Sequence, residues 1–186
     1  MALIVGLGNT HPNYEGTRHN VGIEIVRAIA DKLSMKWEEG NGPFLLAEGR
    51  HKGQKLMLLI PTTLMNRSGQ AVLRAVRLYD FLPSDMLVCN DDIALEPGRI
   101  RIRAKGGDGG HNGLKDIIEK IGTTKFPRLR FGIGANFDEG RQSDYVLYPF
   151  PEDEKEIIDE GIQNARDAAL CFAREGVNKA MNRFNG

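Results

Sequence analysis

The sequence predicts a single α/β domain with a mixed sheet and helices on both faces. Short apolar runs ended by Gly or Pro alternate with longer segments whose apolar residues recur at helical spacing. The 186 residues fit one domain and suffice to bury roughly 70% of the surface an unfolded chain exposes. No repeat, low-complexity tract or long linker interrupts them, so the domain is expected to span residues 1–186.

Each element follows from local pattern. Ala2–Val5 is an apolar run ending at Gly6, which predicts a buried first strand. A polar loop runs from Gly8 to Asn20. Val21, Ile25, Ala28, Ile29 and Leu33 then fall on one helical stripe. Lys55–Ile60 reads as a strand paired with a weaker one around Leu45–Glu48, and Pro61 stops it. Thr62 or Thr63 is expected to cap a helix running to about Phe81. Leu87–Cys89 is another buried strand, leading into Asn90, Asp91 and Asp92. Ile100–Arg103 and Arg128–Ile133 are further strands. Between them lies a glycine-rich loop, Gly106–Gly113, and then a helix carrying Leu114, Ile117, Ile118 and Ile121 that Gly122 should stop. The last helix is expected from Asp153 to Glu175, with Gly176 as its end.

Composition excludes several classes. With 41% apolar and 27% charged residues the chain is not a disordered one. No apolar run approaches the ~20 residues of a membrane span. Met1–Leu7 lacks the basic start of a secretion signal. Cys89 and Cys171 lie far apart without metal spacing and fit a reducing cytoplasm.

Net charge is zero, so any nucleic-acid binding must come from a local patch. One exists: Arg99 to Arg130 carries nine basic against three acidic residues. Arg99, Arg101, Arg103 and Lys105 stand two apart, which on a strand puts all four on one face and Ile100 and Ile102 on the other. Arg128 and Arg130 repeat the pattern around Leu129. Such a stripe is either a solvated sheet face or a phosphate-binding surface. Without interleaved aromatics, it suggests contact with a nucleic-acid backbone.

Motifs narrow the chemistry. Gly6-Leu7-Gly8 follows a strand, but His11 occupies the place of the third glycine of a dinucleotide loop. No Gly-Lys pair exists, which excludes a Walker A loop. The histidines His11, His19, His51 and His111 have no metal-ligand spacing, and no metal or cofactor is expected. Cys89, inside an apolar strand, reads as inert packing. His19 lies at a loop-to-helix boundary near the carboxyl end of the first strand, where open α/β sheets place ligands. Asp91 and Asp92 end another strand and point to opposite faces. One of them can orient the His19 ring and make its free nitrogen a base, while Asp92 reads as a turn cap. Asn9, Asn66 and Asn112 each adjoin an element terminus, where neutral amides can hold a peptide group or an oxyanion. For Asn112 an ordinary N-cap role competes with that reading. These residues suggest a hydrolase acting on something attached to a phosphate polymer.

The motifs together resemble the bacterial-type peptidyl-tRNA hydrolase family over nearly the whole chain. They are Leu3-Ile4-Val5-Gly6-Leu7-Gly8-Asn9, Tyr14, Thr17-Arg18-His19-Asn20-Val21-Gly22, Pro61 to Gly69, Asp91-Asp92, Gly109 to Lys115, Arg128 to Gly134 and Asn182-Arg183-Phe184. The resemblance implies a three-layer α/β sandwich around a twisted mixed sheet, monomeric and cytoplasmic. Its partner would be peptidyl-tRNA, and its reaction hydrolysis of the ester between peptide and terminal ribose, recycling tRNA from aborted translation. It implies His19, Asp91 and Asn9 as catalytic residues. Tyr14, Met65, Asn66 and Asn112 would bind the substrate end. Arg101, Arg103, Lys105 and Arg130 would contact tRNA. Thr10 and His11 stand where the family usually has Pro-Gly. A differently shaped Asn9 loop is therefore expected, with His11 as a rival base. Residues 136–142 match the family poorly. A non-catalytic RNA-binding protein on this scaffold and a small-substrate esterase remain as competing readings.

Overall fold

The computed structural model describes residues 1–186. Seven strands form one sheet in the order β2-β3-β4-β1-β5-β7-β6. They are β1 (Ala2–Gly6), β2 (Glu38–Glu39), β3 (Phe44–His51), β4 (Gln54–Pro61), β5 (Met86–Asp92), β6 (Ile100–Arg103) and β7 (Arg128–Gly132). β1, β4, β5 and β7 run parallel, while β2, β3 and β6 run antiparallel to their neighbours. The expected mixed sheet is therefore present.

The helices are α1 (Val21–Lys32), α2 (Ser68–Leu78), α3 (Asn112–Ile121), α4 (Gln142–Val146), α5 (Lys155–Glu175) and α6 (Val177–Phe184). β1 shows why they divide into two layers. Its residues alternate between two separate cores: Ala2 and Ile4 pack with α1, α5 and α6, whereas Leu3 and Val5 pack with α2 and α3. A strand buried on both faces has no polar alternation, which is why Ala2–Val5 reads as a continuous apolar run.

Gly22 lets α1 approach the sheet. A Cβ there would overlap the carbonyl oxygen of Cys89 and come within 2.7 Å of the Leu7 nitrogen. That approach brings the start of α1 against the carboxyl ends of β1 and β5.

Several expectations need correction. The helix expected after Thr62 or Thr63 begins only at Ser68, after a 3-10 turn over Met65–Arg67, and neither threonine caps it. Its first turn is capped from outside, where the Gly69 N–H donates to Asp116 Oδ2 of α3 at 2.8 Å. β4 includes Pro61, and β3 is longer than Leu45–Glu48. The loop from Gly8 to Asn20 contains two 3-10 turns, Pro12–Tyr14 and Arg18–Asn20. α5 starts at Lys155 after a 3-10 turn, and α4 and α6 were not expected at all. No helix is long and apolar enough to cross a membrane.

β6 closes one end of the sheet. On the side away from β7, its Ile102 N–H donates to Asn185 Oδ1 at 2.7 Å, and Asn185 Nδ2 donates to the Ile102 carbonyl at 2.9 Å.

Candidate active site

The parallel strands deliver their carboxyl ends to one edge, and the predicted residues gather there. Asp91 lies one residue before the end of β5, on the same face as Cys89 and toward α1. His19 sits in the 3-10 turn immediately before α1. Its Nδ1 is 2.9 Å from both oxygens of Asp91. A carboxylate only accepts, so Nδ1 carries the proton and Nε2 of the neutral ring is left as a base. Asp92 points the other way, as expected. It accepts from the Ala94 N–H at 2.7 Å, in a turn cap, and from Arg130 Nε at 2.6 Å.

A second imidazole meets the same carboxylate. His111 Nε2 donates to Asp91 Oδ1 at 2.8 Å. His111 Nδ1 accepts from the Gly113 and Leu114 N–H groups at 3.1 and 3.3 Å. His111, and not Asn112, is thus the N-cap of α3. This frees the Asn112 amide and corrects the competing cap reading. The ring nitrogens and carboxylate of His19, Asp91 and His111 lie within 4.8 Å of one another, as metal ligands can. The hydrogen bonds oppose that use. With Nδ1 of His111 facing two N–H donors, its proton resides on Nε2, which has no lone pair for a cation.

Burial shapes the titration of this cluster. It acts to lower the His19 pKa, but the charge and hydrogen bond of Asp91 together outweigh it and raise the value above 6.5. Burial acts to raise the Asp91 pKa, and the two histidines pull it down instead, well below the usual carboxylate range. Burial also pushes the Cys89 thiol far up, in keeping with inert packing.

Asn9 is held by a neighbour that sequence reasoning did not single out. The Asn9 N–H donates to Asn20 Oδ1 at 2.7 Å, and Asn20 Nδ2 donates to the Asn9 carbonyl at 2.9 Å. Gly8 admits this clamp, since a Cβ there would lie 2.8 Å from Asn20 Oδ1. Asn9 Oδ1 accepts from the His11 N–H at 3.2 Å. The donor left on Asn9 is therefore its Nδ2. His11 is no rival to His19, because it lines neither of the pockets that contain His19. Its φ of −63° is ordinary, so no glycine is required there, and its Nδ1 caps the Pro12–Tyr14 turn.

Two pockets meet at His19. One is lined by Asn9, Tyr14, Met65, Asn66 and Asn112, together with Leu64 and Leu147. All four predicted substrate-end residues, and the predicted catalytic Asn9, therefore share it with the base. The other is lined mainly by charged residues, polar residues and glycines, among them Asp91, Arg103, Lys105, Arg130 and the loop Gly106–Gly110. α4 borders both through Ser143 and Val146. Arg18 secures this helix: the buried guanidinium lies 3.8 Å from the Tyr145 ring centroid and donates to the Tyr145 carbonyl at 3.0 Å.

Comparison with known proteins agrees with this geometry. A sequence model of the family described as peptidyl-tRNA hydrolase matches residues 3–186. The chain belongs to the peptidyl-tRNA hydrolase family. A curated peptidyl-tRNA hydrolase from Chlorobaculum parvum is 47% identical over 186 residues, covering 100% of this chain and 98% of that one. Another from Salinibacter ruber is 44% identical over 183 residues, covering 98% and 97%. A crystal structure of peptidyl-tRNA hydrolase from Acinetobacter baumannii superposes with a TM-score of 0.95 at 37% identity, covering 100% of this chain and 95% of that one.

In this member of the peptidyl-tRNA hydrolase family the basic stripe divides. Arg103 and Lys105 are exposed and line the polar pocket, as does Arg130, although Arg130 is also paired with Asp92. Arg101 lies opposite Arg130 across the β6–β7 ladder and does not line the pocket. Arg128, read from sequence as part of the stripe, is buried. It donates to the carbonyls of Gly107, Thr124 and Phe126 at 2.8, 2.9 and 3.3 Å and so organises the glycine-rich loop.

Proposed function

We propose that this chain hydrolyses the ester joining a peptide to the 3′-terminal ribose of tRNA, releasing free peptide and free tRNA and so recycling tRNA from aborted translation. The observation that carries the reading is the His19–Asp91 contact, which leaves His19 Nε2 as a base beside a pocket of neutral amides. Membership of the peptidyl-tRNA hydrolase family supports the substrate. The site is complete within one chain, which supports a monomer, and both cysteines are free, which fits the cytoplasm.

His19 Nε2 takes a proton from water, and the oxygen attacks the ester carbonyl carbon. The carbonyl π electrons move onto oxygen, where Asn9 Nδ2 donates to the developing oxyanion. Collapse of the tetrahedral intermediate breaks the bond to the ribose oxygen, which takes the proton back from His19. Asp91 stays ionised throughout and balances the imidazolium. Asn66 and Asn112 hold the acyl amide of the peptide, beside Tyr14 and Met65. A free aminoacyl group lacks that amide and carries a cation, leaving both side chains without partners.

The test is hydrolysis of an N-acyl-aminoacyl-tRNA beside the same tRNA with a free amino group. Release from the first alone is expected. Bound tRNA without release from either would indicate an RNA-binding protein without catalysis.

Arg103, Lys105 and Arg130, with Arg101 beside them, make the tRNA-facing surface. Replacing Arg103 and Lys105 by Ala is expected to raise KM for tRNA substrates by about tenfold and flatten its salt dependence. An equal loss on a minimal nucleoside ester would instead mean that the two side chains shape the catalytic pocket.

A further inference from the structure

Glycine is abundant in this chain, and nearly every glycine has a structural reason. Of the 22, all but Gly107 and Gly186 either adopt a positive φ or face an atom that a Cβ would meet within 4 Å. Gly186 is the last residue. Gly107 stands alone inside the fold. Its φ is negative, and a Cβ there would project into open space. Neither backbone conformation nor packing within the chain requires a glycine at this position.

Its surroundings are nonetheless built. The buried guanidinium of Arg128 fixes the Gly107 carbonyl at 2.8 Å and the nearby Thr124 carbonyl at 2.9 Å. The Gly106 N–H adds a bond to the Thr124 carbonyl at 3.2 Å. Gly107 is exposed and lines the polar pocket with Arg103, Lys105 and Arg130. A rigidly held, bare stretch of main chain thus lies in a pocket that opens toward His19, where Arg103 and Lys105 are exposed, Arg130 is paired with Asp92, and the adjacent Asp108 accepts from the Gly110 N–H at 2.7 Å.

We propose that Gly107 is a substrate-contact residue, where the sugar–phosphate backbone of the tRNA packs directly on the peptide plane and the Gly107 N–H donates to a phosphate oxygen. The missing side chain is what allows the approach. Cations around it supply long-range attraction, and the bare main chain supplies shape. This inference rests on the tRNA reading above.

The test is a volume series, Gly107→Ala and Gly107→Val, read by titration of deacylated tRNA at several salt concentrations. Affinity is expected to fall about tenfold for Ala, the size of one lost charge-assisted hydrogen bond, and further for Val. The salt slope should remain that of the wild type, because no charge is removed, unlike the Arg103 and Lys105 replacements. The thermal midpoint should not fall, because alanine is permitted at an ordinary φ and narrows the unfolded ensemble.

Wild-type affinity in Gly107→Val would overturn the proposal. So would an equal loss of turnover on a minimal nucleoside ester measured beside it, which would give Gly107 a role in shaping the catalytic pocket. The two readings fail separately. Wild-type protein that binds tRNA and releases nothing sinks the hydrolase reading alone, whereas a Gly107→Val protein that binds like wild type sinks only this one.

Discussion

Replacing His19 by Ala is expected to lower kcat on N-acyl-aminoacyl-tRNA by about 10²–10⁴-fold, the usual worth of a positioned general base. His19 is the side chain shared by both pockets whose free nitrogen can take a proton from water near neutral pH. The Asn9 amide and the pocket that orients the ester survive the change, so residual turnover above water is expected. KM should move much less than kcat, because alanine removes a proton acceptor and leaves the amides in place. Steady-state kinetics on one acylated tRNA checks this. Unchanged kcat would remove His19 from the mechanism.

Replacing Asp91 by Asn is expected to cost on the order of 10²–10⁴-fold in kcat and to move the pH profile as well. In the wild type the neutral ring is the active form, so kcat should rise with pH through an inflection above 6.5, since the His19 pKa is raised. The carboxylate causes that elevation. An amide in its place leaves burial, which acts in the opposite direction, so the inflection should move toward acid. An Asn side chain can also turn its NH2 toward His19 Nδ1 and impose the wrong tautomer. An inflection that stays in place would mean that another group sets the His19 pKa.

Linkage fixes the stability signs. The raised His19 pKa contributes stability that is complete below the ordinary histidine value and is lost as pH rises through the folded-state value. The depressed Asp91 pKa contributes stability present above the ordinary 3.8 and lost progressively as pH falls below it. Acid therefore weakens the fold through the Asp91 carboxylate.

The sequence carried the His19–Asp91 pair because each residue ends an element whose direction a local pattern reveals. A loop after β1 and the end of β5 must share one edge of a parallel sheet, so their convergence is legible without coordinates. His111 was not legible. Its neighbours Gly110 and Asn112 mark a loop before a helix, and nothing local says that its ring turns back to Asp91, 20 residues earlier. Asn20 was hidden for a similar reason. It occupies an N-cap position but spends its amide on Asn9 across the turn. Arg128 misled because strand alternation places it with Arg130, whereas the loop folding over it buries Arg128 and leaves Arg130 partly exposed. α4 has only five residues, too short for a helical stripe. Its place is set by Arg18, through contacts 127 residues apart in the chain.

The Asn185 amide on the outer side of β6 has a consequence for the molecule's life in a crowded solution. A strand at the end of a sheet offers free N–H and C=O groups to any passing extended chain, and such pairing leads to polymers. At Ile102 both groups are already taken by a side chain that imitates a strand neighbour. Arg101 and Arg103, flanking it, add mutual repulsion between copies approaching along this edge. The strand that carries these cations is thereby a poor template for self-association.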